Sequence, residues 1–144
     1  MLLNQLKPKD FDFWTSLCTR WNDMDALGHV NHTVFLSYME TARVKTYDRI
    51  GFKGINNGMD ESTILANVEV TYVDQLSHPS SLKIGHRIIR IGTKSYDLIS
   101  GIFLQPDNTL LCSAYFRLVS FNYKINKTIL VPDKIKDNCR PLAK

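Results

Sequence analysis

The stretch Arg20–Arg43, RWNDMDALGHVNHTVFLSYMETAR, carries two kinds of pattern that meet at Asn31. Upstream, a strand end at Arg20-Trp21 leads into an acidic turn, Asn22-Asp23-Met24-Asp25-Ala26-Leu27-Gly28. Downstream, Phe35, Tyr38, Met39, Ala42 and Thr46 recur at helical spacing and make one apolar face. Asn31 is a residue type suited to cap a helix start. The pattern predicts a helix from about Asn31 to Arg49, ended by Gly51. It places a carboxylate, Asp25, and an imidazole, His32, seven residues apart on either side of that start. First-turn N–H groups have no intrahelical partner and can receive developing negative charge. A base, a second polar group and backbone donors are the parts that an acyl-transfer site requires.

Outward from this stretch, Phe11 to Trp21 alternates apolar and polar residues, which fits a strand. After the helix, residues 51–60 (GFKGINNGMD) hold three glycines and two asparagines and read as a loop, either a connector or a cover for a pocket. From Ser62 the chain is nearly all strand. Thr63–Val73 is followed by a polar break around His78-Pro79. Leu82–Ile91 carries Ile84, His86, Ile88 and Arg90 on one parity. Gly92-Thr93-Lys94 turns into Ser95–Leu104, and Gln105-Pro106-Asp107-Asn108 has Pro where a type I turn prefers it. Thr109–Asn122 sets Leu111, Ser113, Tyr115 and Arg117 opposite Cys112, Ala114, Phe116 and Leu118. Pro132 starts a short helix over Asp133–Asp137. One long helix between a first strand and four antiparallel strands gives the α+β class, with the sheet burying the helix.

Length and composition narrow the classes. At 144 residues the chain is expected to form one domain. Its 44% hydrophobic and 22% charged content is ordinary for a soluble globular protein. The net charge of +4 suits an anionic ligand, but Lys and Arg never form a run, so no nucleic-acid partner is expected. Cys18, Cys112 and Cys139 are an odd, unpatterned set, as expected of reduced thiols in a cytoplasmic protein. No membrane span or signal peptide is expected from the apolar runs.

The same residues also admit plainer readings. Asp23 and Asp25 suit turns whatever their chemistry. A calcium loop fits poorly, because Val34 stands where the closing Glu belongs. His29 and His32 lack further ligands to complete a metal set, so no metal is expected. Glu40 and Arg43, three apart, read as a helix-surface ion pair.

Taken together, D-x-D-x-x-G-H-V-N-H followed by Y-M-E-T-A-R resembles the 4-hydroxybenzoyl-CoA thioesterase family of hotdog-fold acyl-CoA thioesterases, especially its YbgC-like branch. Asp25 matches the catalytic second Asp of that branch, and His32 matches a His seven residues later. Val68–Tyr72, Gly92–Ser95 and Leu130–Ile135 are also similar, so the resemblance spans roughly residues 10–137 of a single 1–144 domain. Gly28-His29-Val30-Asn31 is wording commoner in other subgroups, which often carry Asn where this chain has His32. The resemblance implies an antiparallel sheet wrapped around one central helix, assembled as a homodimer or homotetramer whose protomers pair sheet edges. It implies hydrolysis of an acyl-CoA substrate to free acid and coenzyme A, with no cofactor. Asp25 would act as general base, or as nucleophile through a mixed anhydride. His32 would orient substrate or water, or shuttle a proton, and backbone N–H groups around it would polarise the carbonyl. Gly28, which lets the backbone turn tightly, and Asn31 are expected at the substrate. Arg90, Lys94 and Ser95 are candidate coenzyme A contacts, or else solvated strand-end residues. The alternatives are a non-hydrolytic acyl-thioester binder and a dehydratase-type hotdog enzyme acting on carrier-protein thioesters.

Overall fold

The computed structural model describes residues 2–52 and 60–143. Helix α1 runs His32–Arg49 with Asn31 as its N-cap, and Phe35, Tyr38, Met39, Ala42, Thr46 and Tyr47 are buried along it. Strands β1 (Phe13–Cys18), β2 (Glu61–Tyr72), β3 (Ser81–Ile91), β4 (Ser95–Leu104) and β5 (Thr109–Asn122) form one antiparallel sheet in the order β1-β3-β4-β5-β2. A short β6 (Lys127–Thr128), not anticipated from the pattern, pairs with β5, and a one-turn helix α2 (Asp133–Lys136) follows. The sheet curls about α1 in the hotdog arrangement, with Ile84, Ile88, Leu98, Ile102, Phe116 and Leu118 against the helix. Three register shifts, at Leu65/Asn67, Ile88/Arg90 and Ile102/Phe103, accompany the curl; such bulges bend a strand and raise its twist. Among the described residues no helix is long and apolar enough to cross a membrane. All three cysteines are free.

The other face of the sheet is covered by the chain's first residues. Leu6 and Phe11 pack there with Ile89, Ile99 and Phe103. Gly85 and Gly101 stand opposite each other on β3 and β4. A Cβ on Gly85 would fall 2.6 Å from Phe11 Cγ, and one on Gly101 would fall 2.7 Å from Phe11 Cζ. Phe11 therefore lies flat in a notch that only two glycines leave open.

Several expectations change. The first strand stops at Cys18, and Trp21–Asp23 form a 3₁₀ turn instead of a strand end. Of the loop expected over residues 51–60, residues 53–59 lie outside the described residues. Arg90 does not share the parity of Ile84, His86 and Ile88: the shift after Ile88 sets it opposite Asp97, on the convex face. The shift near Phe103 likewise brings Leu111 into the main core beside Cys112. Glu40 and Arg43 make no ion pair among the described residues; the Arg43 guanidinium lies 5.1 Å over the Phe116 ring instead.

The helix-facing side of β3 also carries His86, 1% exposed. Both its ring nitrogens, Ser100 Oγ and Thr15 Oγ1 lack partners among the described residues, and Ser100 stands directly across from His86. Burial, reinforced by the positive charge of Arg43, pulls the His86 pKa down to about 3. In the unfolded chain the ring titrates near 6.5. A folded pKa below the unfolded one means that the unfolded state binds the extra proton, so stability is full above about pH 6.5 and falls as pH drops toward 3. The expected slope in that window is about 1.4 kcal/mol per pH unit. Asp23 and Asp97, whose carboxyls are held below their ordinary value, add their own losses only below about pH 4. Urea midpoints between pH 7 and 4.5 should fall accordingly and should flatten in His86→Leu; an unchanged slope in that variant would remove His86 as the cause.

Candidate active site

The loop between β1 and α1 is built on Asp23, whose side chain is 3% exposed. Its Oδ2 accepts from the Arg20 N–H at 2.8 Å and from the Tyr38 hydroxyl at 2.5 Å, and Arg20 Nη2 reaches Oδ1 at 3.3 Å. Its backbone C=O accepts from Asn31 N–H at 3.0 Å. Burial raises its carboxyl pKa, but the Tyr38 and Arg20 hydrogen bonds and the Arg20 charge outweigh it, and the net shift is downward. Burial and the Asp23 charge push the Tyr38 phenol up. Asp23 is thus an ionised anchor with both oxygens engaged.

Asp25 faces the other way and is exposed. Its Oδ1 accepts from Leu27 N–H at 2.9 Å and His29 N–H at 3.5 Å, while its own N–H donates to His29 C=O at 2.8 Å. Gly28 closes this turn at φ +79°, a backbone region that costs glycine little, and its C=O accepts from the Ser77 hydroxyl. The bridge between Met24 and Val30 clamps the turn from both sides.

Helix α1 opens immediately after. Asn31 Oδ1 accepts from Thr33 N–H and the Thr33 hydroxyl, both at 3.0 Å, and Val34 N–H bonds Asn31 C=O. Asn31 therefore spends its side chain on the cap. The backbone N–H of His32, the first helical residue, has no partner among the described residues. The His32 ring is exposed and meets Tyr72 of β2 edge-on at 6.2 Å, and the Tyr72 hydroxyl donates to His32 C=O at 2.8 Å. Loop, helix start and the end of β2 are thereby joined, with an open carboxylate, an open imidazole and an open helix-terminal donor at one rim.

Comparisons with other proteins bear on the family and the fold. The profile of the thioesterase-like superfamily matches residues 19–139. The chain belongs to that superfamily. It is a thioester hydrolase with the hotdog fold. Among solved structures it is similar to PA2801 of Pseudomonas aeruginosa, described as a candidate thioesterase (27% identity, 87% of this chain and 95% of that one, TM-score 0.80). It is also similar to a Thermus thermophilus thioesterase complexed with coenzyme A and Zn (26% identity, 89% and 97%, TM-score 0.76). A DHNA-CoA thioesterase of Staphylococcus aureus shares the fold at 17% identity (87% and 84%, TM-score 0.76). No curated protein sequence matches the chain.

Within the superfamily scaffold, the remaining sequence candidates fall elsewhere. β1 ends with Cys18 paired to Ser81, so the loop leaves at the beginning of β3, whereas Arg90, Lys94 and Ser95 surround its far end. Eleven strand residues separate the two ends by roughly 30 Å at about 3.3 Å per residue. Arg90 is moreover engaged: it bonds Asp97 through Nε (2.5 Å) and Nη2 (3.1 Å) and Ser95 Oγ at 3.0 Å. Asp97, 2% exposed, also binds Arg117 at 2.9 Å and the Tyr115 hydroxyl. Lys94 contributes its C=O to Ser120 N–H. One protomer does not bring this turn to Asp25. Among the described residues no group of three potential metal ligands occurs.

Sequence reasoning missed Tyr38 as the partner of Asp23, because a pairing fifteen residues apart leaves no local signal. Tyr38→Phe keeps the ring and removes the donor, leaving a buried carboxylate one hydrogen bond short. Unfolding by urea at pH 7 should show a loss of about 2 kcal/mol. A variant as stable as the original protein would show that Asp23 does not depend on Tyr38.

Proposed function

We propose that the protein is an acyl-CoA thioesterase of the branch resembling the 4-hydroxybenzoyl-CoA family, one hotdog domain with Asp25 as its catalytic carboxylate. The observation that carries this reading is the contrast within D-x-D: Asp23 is buried with both oxygens bonded, while Asp25 is exposed in the turn that leads to α1, whose first N–H, at His32, has no partner among the described residues. In the proposed reaction, water or Asp25 itself attacks the thioester carbonyl. As general base, Asp25 takes a proton from the attacking water; as nucleophile, it forms an anhydride that water then cleaves. The His32 N–H, at the positive end of α1, receives the charge developing on the carbonyl oxygen. The His32 ring orients the water or substrate, and coenzyme A leaves as the free thiol.

A turn-only role for Asp25 has one observation in its favour, since its Oδ1 accepts from Leu27 N–H as in an ordinary Asx turn. Asn suits such a turn as well as Asp does. Thiol release and acyl-CoA affinity, measured side by side for Asp25→Asn, Asp23→Asn and His32→Ala, separate the readings. Asp25→Asn should lose roughly 10²-fold or more in turnover with binding retained, and His32→Ala should lose less. Near-normal turnover in Asp25→Asn would sink the assignment.

We also propose that the active unit is at least a homodimer. Support comes from β2, an edge strand with exposed Ile64 (38%) and Leu65 (46%), whose end carries Tyr72 against His32. An unpaired apolar edge invites a second strand, and a copy docked there would also shield the rim holding Asp25 from bulk water. Light scattering at micromolar concentration should give at least twice the chain mass. Leu65→Lys should lower both mass and turnover; a fully active monomer would overturn this assembly.

A further inference from the structure

On the convex face, away from α1, the first and last described segments border a cavity of about 710 Å³. Its floor is Arg87 of β3, 4% exposed. The guanidinium donates from Nε to Arg140 C=O at 2.7 Å, from Nη2 to Pro141 C=O at 2.6 Å and from Nη1 to Asp10 C=O at 3.3 Å. All three acceptors are neutral. Among the described residues no carboxylate lies within ion-pair distance of it.

A guanidinium has five N–H groups, so one on each Nη is left over. A buried charge is normally paired, because taking it out of water is costly. Burial, with Arg140's like charge adding to it, pulls the Arg87 pKa down. The Asp12 and Asp10 charges offset this in part, but among the described residues neither carboxylate lies within ion-pair distance of Arg87. Arg140 is already neutralised by Asp12 at 2.7 Å, Lys9 on the same wall has no ion pair among the described residues, and Asp10 accepts from Lys7 N–H. The rest of the wall is Gln5 together with apolar residues, among them Leu2, Leu6 and Leu142.

We propose that this cavity binds a single-chain anionic amphiphile, its carboxylate at Arg87 and Lys9 and its apolar chain along Leu2, Leu6 and Leu142. The alternative, that Arg87 only ties down the chain's ends, accounts for the three carbonyls. It does not account for the two spare donors, for Lys9, which has no ion pair among the described residues, or for the apolar Leu2, Leu6 and Leu142 beside them. The site lies across the sheet from the helix start, so it is separate from the rim holding Asp25 and does not depend on the hydrolytic reading.

The test titrates decanoate, kept below its micelle-forming concentration, into ¹⁵N-labelled full-length protein, with decanol and acetate as the uncharged and tailless controls. Expected are saturable amide shifts at Leu6, Asp10, Arg87 and Leu142, with decanoate binding roughly tenfold tighter than either control. Lys9→Glu, a surface change that leaves the Arg87 contacts in place, should weaken decanoate roughly threefold or more while turnover stays unchanged. Leu142→Asp should weaken it further. Shifts confined to the Asp25–His32 end, decanol binding as well as decanoate, or indifference to Lys9→Glu and Leu142→Asp would each overturn the proposal.

Discussion

A single buried carboxylate, Asp23, holds the loop between β1 and α1 in one shape. It gathers the N–H of Arg20 before the turn and the hydroxyl of Tyr38 on the second turn of α1, while its own C=O takes the N–H of Asn31. An ionised group in that position is tolerated only while its donors stay in place, so loop entry, loop exit and helix are fixed together. Asp25, two residues on, is turned outward as a result. The second carboxylate of D-x-D is exposed because the first is not.

Local grammar made much of this legible. The Asn31 cap and the 3.6-residue recurrence of Phe35, Tyr38, Met39 and Ala42 located α1 to within a residue, and alternation located β2 to β5. What local grammar does not contain is register. The bulges after Ile88 and Ile102 depend on the strands alongside, so Arg90 and Leu111 changed faces against a period-2 reading. Charge partners failed for the same reason. Arg43 was expected to meet Glu40 on its own helix, yet an aromatic ring from β5 draws it inward. At the candidate site, Asp25, Gly28, Asn31 and His32 were readable because they lie within one short stretch; the distance of Arg90, Lys94 and Ser95 from them follows only from which end of β3 faces the loop.

The two faces of the sheet are stabilised by different means. Against α1 the packing is apolar, interrupted by His86, Ser100 and Thr15. On the convex face, charged networks centred on Asp97 and Arg87 stand beside a smaller aromatic cluster. One core is sensitive to acid through a ring that must stay neutral. The other relies on guanidinium groups, which keep their charge at any ordinary pH.

The notch beneath Phe11 has a consequence for how such a sequence can drift. Positions 11, 85 and 101 are far apart along the chain but compete for the same few cubic ångströms. A methyl group at either glycine has nowhere to go while residue 11 is phenylalanine, and a smaller residue 11 over two glycines leaves a void. Single replacements are therefore penalised from both directions, and passage between solutions requires two changes at once. The three positions form one unit of inheritance, distributed over the N-terminal segment and two central strands.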